Sequence, residues 1–182
     1  MKVTYIAVLR GINVSGKNMI RMPELKSACE KEGFSDVLTY IQSGNIIFCH
    51  ETVKEEVLAE KVAGLIRNSF GLEVPVIVRN AVQFEEIASS NPFLDEAGIP
   101  EGKLHVTLLS ARPGEQRVKI LEEVDAGTDR FILRGREIYL FCPGGYGNTK
   151  LSNTFFENKL KVTATTRNWK TITKLLELSG KH

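Results

Sequence analysis

The feature that most limits how this chain can fold is a pattern that occurs twice. Val74-Pro75-Val76-Ile77-Val78-Arg79-Asn80 leads into a segment carrying Phe84 and Ile87. Val162-Thr163-Ala164-Thr165-Thr166-Arg167-Asn168 leads into one carrying Ile172 and Leu175. The offset is constant, since 167 − 79, 172 − 84 and 175 − 87 agree. The stretches Asp36 to Phe48 and Asp129 to Phe141 also match in length, and both read as hairpins. One supersecondary unit is therefore used twice.

The order of elements within each copy follows from periodicity. In the first, Val3 to Arg10 reads as a strand, and a helix starts near Pro23, with Met22, Leu25 and Cys29 at helical spacing and Gly33 as its stop. Strands Val37 to Ile41 and Ile46 to Cys49 are joined by Gln42-Ser43-Gly44-Asn45. A long helix then sets Val53, Val57, Leu58, Val62, Leu65 and Ile66 on one face and ends at Gly71. Val74 to Arg79 is a strand, and Asn80 caps a helix through Ser90. The second copy repeats this with a strand Leu104 to Leu109, a helix Gly114 to Val124, the hairpin, a helix Ser152 to Leu160, a strand Val162 to Thr166 and a helix Trp169 to Leu178. The order βαββαβ predicts an α+β protein of duplicated ferredoxin-like subdomains packed as one compact unit. The run from Asn91 to Gly102 holds two prolines and two glycines, so residues 95–102 are read as a linker between subdomains 1–94 and 103–182. Ile46-Ile47-Phe48 and Ile138-Tyr139-Leu140-Phe141 are apolar without alternation, so both faces of each sheet should be covered.

Composition narrows the function classes. The 182 residues carry a net charge of only +2, with charged residues interspersed, a basic bias too weak to imply a nucleic-acid partner. No apolar run reaches the roughly 18 residues of a membrane span, and no signal-peptide pattern opens the chain, so no membrane partner is expected. Cys29, Cys49 and Cys142 are odd in number and set in apolar context, which suits free thiols in a reducing cytoplasm. His50, His105 and His182 stand alone, so neither a metal site nor another cofactor is expected. Cys49 and His50 are neighbours whose side chains leave a strand on opposite faces, which argues against a nucleophile pair. Trp169 reads as a core anchor.

Two loop clusters carry the remaining chemistry. In a βαββαβ unit the first loop and the hairpin turn lie at the same end. That gathers Arg10, Gly11, Asn13, Gly16, Lys17, Asn18 and Arg21 with Ser43, Gly44 and Asn45. In the second copy the exit of the third strand, Pro143 to Lys150, shares an edge with the end of the fourth, which gathers Gly147 and Lys150 with Thr166, Arg167 and Asn168. Each cluster joins glycines, a cation and a helix N-terminus, a combination that favours phosphate, sulfate or carboxylate. The competing reading is that the glycines serve turns, Asn168 caps a helix and the arginines pair with surface glutamates. Neither Gly-x-x-x-x-Gly-Lys-Ser/Thr nor Gly-x-Gly-x-x-Gly is present, and the strands lack the aromatic signature of an RNA-recognition module.

These segments also resemble a known family. Leu9-Arg10-Gly11-Ile12-Asn13-Val14-x-Gly16-Lys17-Asn18, Met22-x-x-Leu25, Thr39-Tyr40-Ile41-Gln42-Ser43-Gly44-Asn45, Asn91-Pro92-Phe93, Lys150-Leu151-Ser152-Asn153 and Ala164-Thr165-Thr166-Arg167-Asn168-Trp169-x-Thr171 are similar to the motifs of the bacterial domain-of-unknown-function family 1697. The resemblance spans nearly the whole chain. It implies a single compact protein of two ferredoxin-like subdomains, and it implies no activity. Ser15 departs from the glycine common in the family at that place. The expectation is a small phosphorylated or otherwise anionic ligand held by the Gly/Asn/basic loops, with or without chemistry performed on it. The alternatives are a non-catalytic interaction or nucleic-acid-associated module, and loops that serve architecture alone.

Overall fold

A computed structural model describes residues 1–180, so His182 lies outside the described residues. The chain divides into two compact units, one of residues 1–86 with the segment that begins at Leu175, the other of residues 87–174. The first contains β1 (Lys2–Leu9), α1 (Met22–Lys31), β2 (Ser35–Tyr40), β3 (Asn45–Glu51), α2 (Glu55–Phe70) and β4 (Val76–Asn80), and α3 (Ala81–Ser89) follows. The second contains β5 (Leu104–Leu109), α4 (Glu115–Glu122), β6 (Arg130–Arg134), β7 (Glu137–Phe141), α5 (Asn153–Leu160) and β8 (Ala164–Asn168), and α6 (Trp169–Ser179) follows. Both cuts fall inside helices, α3 and α6, and residues 95–102 lie within the second unit.

Each unit holds one antiparallel sheet, ordered β2-β3-β1-β4 in the first and β6-β7-β5-β8 in the second. The orders correspond strand for strand, so the fold is α+β with a ferredoxin-like βαββαβ unit used twice. Within the first unit, strand alternation sends Tyr5, Ala7, Leu9, Ile46, Phe48 and Val78 into one core with Leu25, Cys29, Leu58, Val62, Leu65 and Ile66 of α1 and α2. Ile6, Val8, Ile47 and Ile77 point the other way and are buried as well, which accounts for the unbroken apolar runs. The second unit packs Leu109, Ile138, Leu140 and Ala164 against Leu121, Phe156 and Leu160 of α4 and α5. Each fully buried side chain of this kind contributes about 1.5–3 kcal/mol.

Several boundaries differ from the sequence reading for local reasons. Val57 is 54% exposed, and the buried stripe of α2 is Leu58, Val62, Leu65 and Ile66. Val53 precedes that helix, where its backbone N–H and C=O both bond the Tyr5 hydroxyl, at 3.2 and 3.0 Å. β4 starts at Val76 because Pro75 has no N–H to give to a ladder, although its carbonyl accepts from Arg10 N–H at 2.9 Å. α4 is shorter than its expected span and buries only Leu121. Gly71 ends α2 in the left-handed region (φ 67°), as expected of a glycine stop. Trp169 is buried.

Candidate functional site

The first loop and the β2–β3 turn do meet, and Asn13 joins them. Its Nδ2 donates to the Ile20 carbonyl (2.9 Å) and to the Gln42 carbonyl (2.8 Å), while its Oδ1 accepts from Ile20 N–H at 2.8 Å. Asparagine suits this place because φ is 53° there and its short amide tolerates the left-handed region. Asn18, also left-handed, donates to the Gly11 carbonyl at 3.0 Å. Buried Asn45 donates to the Tyr40 carbonyl (2.8 Å) and to Ser43 Oγ (3.3 Å). These amides therefore bond to their own loop and turn.

Between them the chain makes a tight reversal. Lys17 N–H donates to the Val14 carbonyl at 2.9 Å across Ser15 (φ 50°) and Gly16 (φ 74°), the double positive φ of a type I′ turn. Ser15 holds this left-handed conformation despite its side chain. Residues 14–19 are all exposed, including Lys17. Gly44 has a different task. With φ 82° its carbonyl accepts from Leu9 N–H, and a Cβ there would sit 2.5 Å from Ile12 Cδ1. Arg10 is half-buried, and Arg21 makes an exposed 3.5 Å pair with Glu24.

The second cluster is only partly assembled. His105 pairs in register with Asn168, and its ring stacks on Tyr146 at 4.8 Å, which brings the loop after β7 beside the end of β8. Strand alternation then separates the expected residues. Thr166 faces α5, sharing its hydroxyl with Thr107 (2.7 Å) and Asn153 Oδ1 (2.7 Å). Arg167 points to the opposite face, where it is 8% exposed and its Nη1 donates to Thr165 Oγ1 (3.0 Å) and the Thr166 carbonyl (2.9 Å). Burial pulls its pKa down to about 10, with the Tyr146 phenol acting in the other direction. Asn168 caps α6 through Thr171 N–H at 2.8 Å. Gly147 and Lys150 are exposed. Asn148 holds the loop by donating to the Gly144 carbonyl at 3.0 Å.

The duplication explains Arg167. Arg79 occupies the same place in β4, is 2% exposed, and donates to the carbonyl of the preceding residue, Val78, at 3.0 Å. Asn80 likewise caps the next helix through Gln83 N–H at 2.9 Å. The repeated Arg-Asn pair was the visible signal for this, and it marks a buried arginine followed by a helix cap in both units.

Three polar groups, one buried and two half-buried, were assigned no partner from the sequence. Asn91 is 3% exposed, its Oδ1 closing a turn onto Phe93 N–H at 3.0 Å, while its Nδ2 has no hydrogen-bond partner among the described residues. Thr149 donates a short bond to Asp129, next to Cys142, whose thiol pKa is raised first by burial and then by the Asp129 charge. His105 is pushed down by burial, against a hydrogen bond with the Lys103 backbone. Cys29, Cys49 and Cys142 are all buried and unlinked. Burial raises Cys29 to about 12, so it is a packed thiol and not an activated one. Among the described residues no group of His, Cys, Asp and Glu is arranged to hold a metal, and no helix is long and apolar enough to cross a membrane.

A conserved bacterial protein from Streptococcus pneumoniae, SP0830, has a solved structure that superposes with a TM-score of 0.76 at 21% identity, covering 99% of each chain. That likeness establishes the fold. No curated protein matches the sequence. A family described as a protein of unknown function, DUF1697, matches residues 1–139. With three quarters of its length inside that match, the chain belongs to the DUF1697 family.

Proposed function

We propose that this chain acts by binding a phosphorylated or otherwise anionic molecule through the rim of its first unit, residues 10–21 and 41–45. The observation that carries the reading is the charge of a latched surface. Asn13 ties the two segments together, Arg10, Lys17 and Arg21 lie in them, and neither contains an Asp or Glu. Arg21 pairs with Glu24 at 3.5 Å in an exposed contact worth at most about 1 kcal/mol, which an incoming anion could exchange at little cost. Gly11 and Gly16 have no atom within 4 Å of where a Cβ would stand, which leaves their backbone open to approach. The second cluster is read as architectural, because Arg167 and Asn168 repeat what Arg79 and Asn80 do.

A thermal-shift panel of phosphate, pyrophosphate, nucleotides and sugar phosphates tests this. A ligand at about a hundred times its dissociation constant adds roughly 2.7 kcal/mol, a shift of several degrees in a chain of this size. The shift should vanish in Lys17→Ala with the melting curve otherwise unchanged. A shift that survives Lys17→Ala would place the site elsewhere, and no shift across the panel would count against free anions as ligands.

A further inference from the structure

We propose that the glycine-rich loop of residues 143–150, between β7 and α5, is a lid latched by His105, and that protonation of the imidazole releases it. The device belongs to the second unit and is independent of the anion rim of the first.

The latch is the stack of His105 on Tyr146, with ring centroids 4.8 Å apart and planes at 24°. Tyr146 arrives there on a piece of chain bonded to itself. Gly145 N–H donates to the Cys142 carbonyl (2.9 Å), Asn148 N–H to Gly145 (3.1 Å) and Thr149 N–H to Tyr146 (3.3 Å). Gly145 has φ 90°, and Gly144, Gly145 and Gly147 have no atom within 4 Å of their Cβ positions. Glycines with open surroundings on both sides of Tyr146 let this piece swing as a unit. At its far end Thr149 is tied to Asp129.

The closed latch suits only a neutral imidazole. His105 Nδ1 is buried and has no hydrogen-bond partner among the described residues. A neutral ring tolerates this, because one of its nitrogens carries no proton. An imidazolium has an N–H on both, so the closed state would bury a donor with nothing to accept it. Opening brings water to that nitrogen. The cross-strand neighbours of His105 are Leu140 of β7 and Asn168 of β8, neither of them ionisable. Charged groups on the surrounding elements are Lys103 before β5, Asp129 before β6, Glu157 on α5 and Arg167, which faces the other side of the sheet. Burial, opposed by the Lys103 backbone, sets the ionisation of His105 and holds it below its ordinary value. The open ring returns towards about 6.5, so the latch is complete above that pH and is lost as pH falls through the closed-state value.

An NMR titration of the full chain from about pH 7.5 to about pH 5 tests the proposal. The ratio of open to closed lid should rise by up to about tenfold per pH unit below about 6.5. The nuclear Overhauser contact between His105 and Tyr146 should fade, and the Tyr146 ring shifts should move with the midpoint of the His105 imidazole. Amides of β7 should stay protected throughout. Tyr146→Ala should return His105 towards its ordinary pKa. His105→Phe keeps a stacking ring without a titrating group, so its lid should stay shut to about pH 5. Asp129→Asn should leave the transition in place. A stack that persists once His105 is protonated, or a transition that survives in His105→Phe, would overturn the proposal. Loss of β7 protection together with the stack would mean global unfolding and would equally overturn it. Should His105→Phe misfold, the parent chain still decides, because different midpoints for the two rings refute the latch.

Discussion

Replacing Gly44 with alanine tests how the first loop is held on the β2–β3 turn. The backbone there has φ 82°, and the left-handed region costs an alanine about 1–2 kcal/mol. The new methyl would also lie 2.5 Å from Ile12 Cδ1, 2.9 Å from Ile12 Cγ1 and 3.0 Å from Leu9 Cβ. Ile12 is 1% exposed and has little room to move, so overpacking adds about 1–3 kcal/mol. Gly33 provides the control, because its φ is 91° but no atom lies within 4 Å of its Cβ position. Gly33→Ala should therefore cost only the backbone part. In urea unfolding followed by circular dichroism, Gly44→Ala should be the more destabilised by about 1–3 kcal/mol, or about 2–12 °C in melting temperature. Ile12→Val removes the nearest clashing atom. Alone it should cost about 0.5–1.5 kcal/mol, whereas in the Gly44→Ala background it should cost nothing or restore stability. Equal costs for the two glycines, or an Ile12→Val penalty undiminished in the double variant, would refute the crowding.

Asn13→Ala should cost about 2–4 kcal/mol, combining three lost hydrogen bonds with left-handed strain, and amide exchange at Ile20 should rise; a cost under about 1 kcal/mol would mean the latch is weak. Asn80→Ala and Asn168→Ala should each cost about 1 kcal/mol in equilibrium unfolding, and markedly unequal losses would mean that the caps of α3 and α6 are not equivalent. Burial raises Tyr139 to about 12, and its hydroxyl donates to the Ile87 carbonyl at 3.0 Å. Its phenol therefore ionises first in the unfolded chain, and stability should fall as pH rises from about 10 towards 12, a dependence that Tyr139→Phe should reduce. Burial holds His105 below its ordinary value, so stability should decline as pH drops below about 6.5, and His105→Gln should flatten that slope.

The fold was legible because its signals are local and repeated. Gly71 as a stop, the buried stripe of Leu58, Val62 and Leu65, and the constant offset from Arg79 to Arg167 each rest on short-range rules. Two copies of the same order reinforce one another. Topology alone placed the first loop beside the hairpin turn, because β1 and β2 must run the same way. Side-chain destinations were harder to read. Thr166, Arg167 and Asn168 are consecutive, yet a strand sends consecutive residues to opposite faces, so sequence adjacency could not make them one site. Asn13 and Asn45 looked like ligand donors because their amides can bond anything. Which carbonyls they satisfy depends on the turn geometry. The exposure of Met19 and Ile41 had no sequence signature, since apolar residues in short loops usually complete a core.

The cuts within α3 and α6 have a consequence for synthesis. The first unit is discontinuous in sequence, because the segment beginning at Leu175 belongs with residues 1–86. A nascent chain emerging from the ribosome N-terminus first therefore makes the whole of residues 87–174 before the first unit receives its last residues. The half made first is completed last. During that interval residues 1–86 carry their four-stranded sheet without the segment that completes the unit.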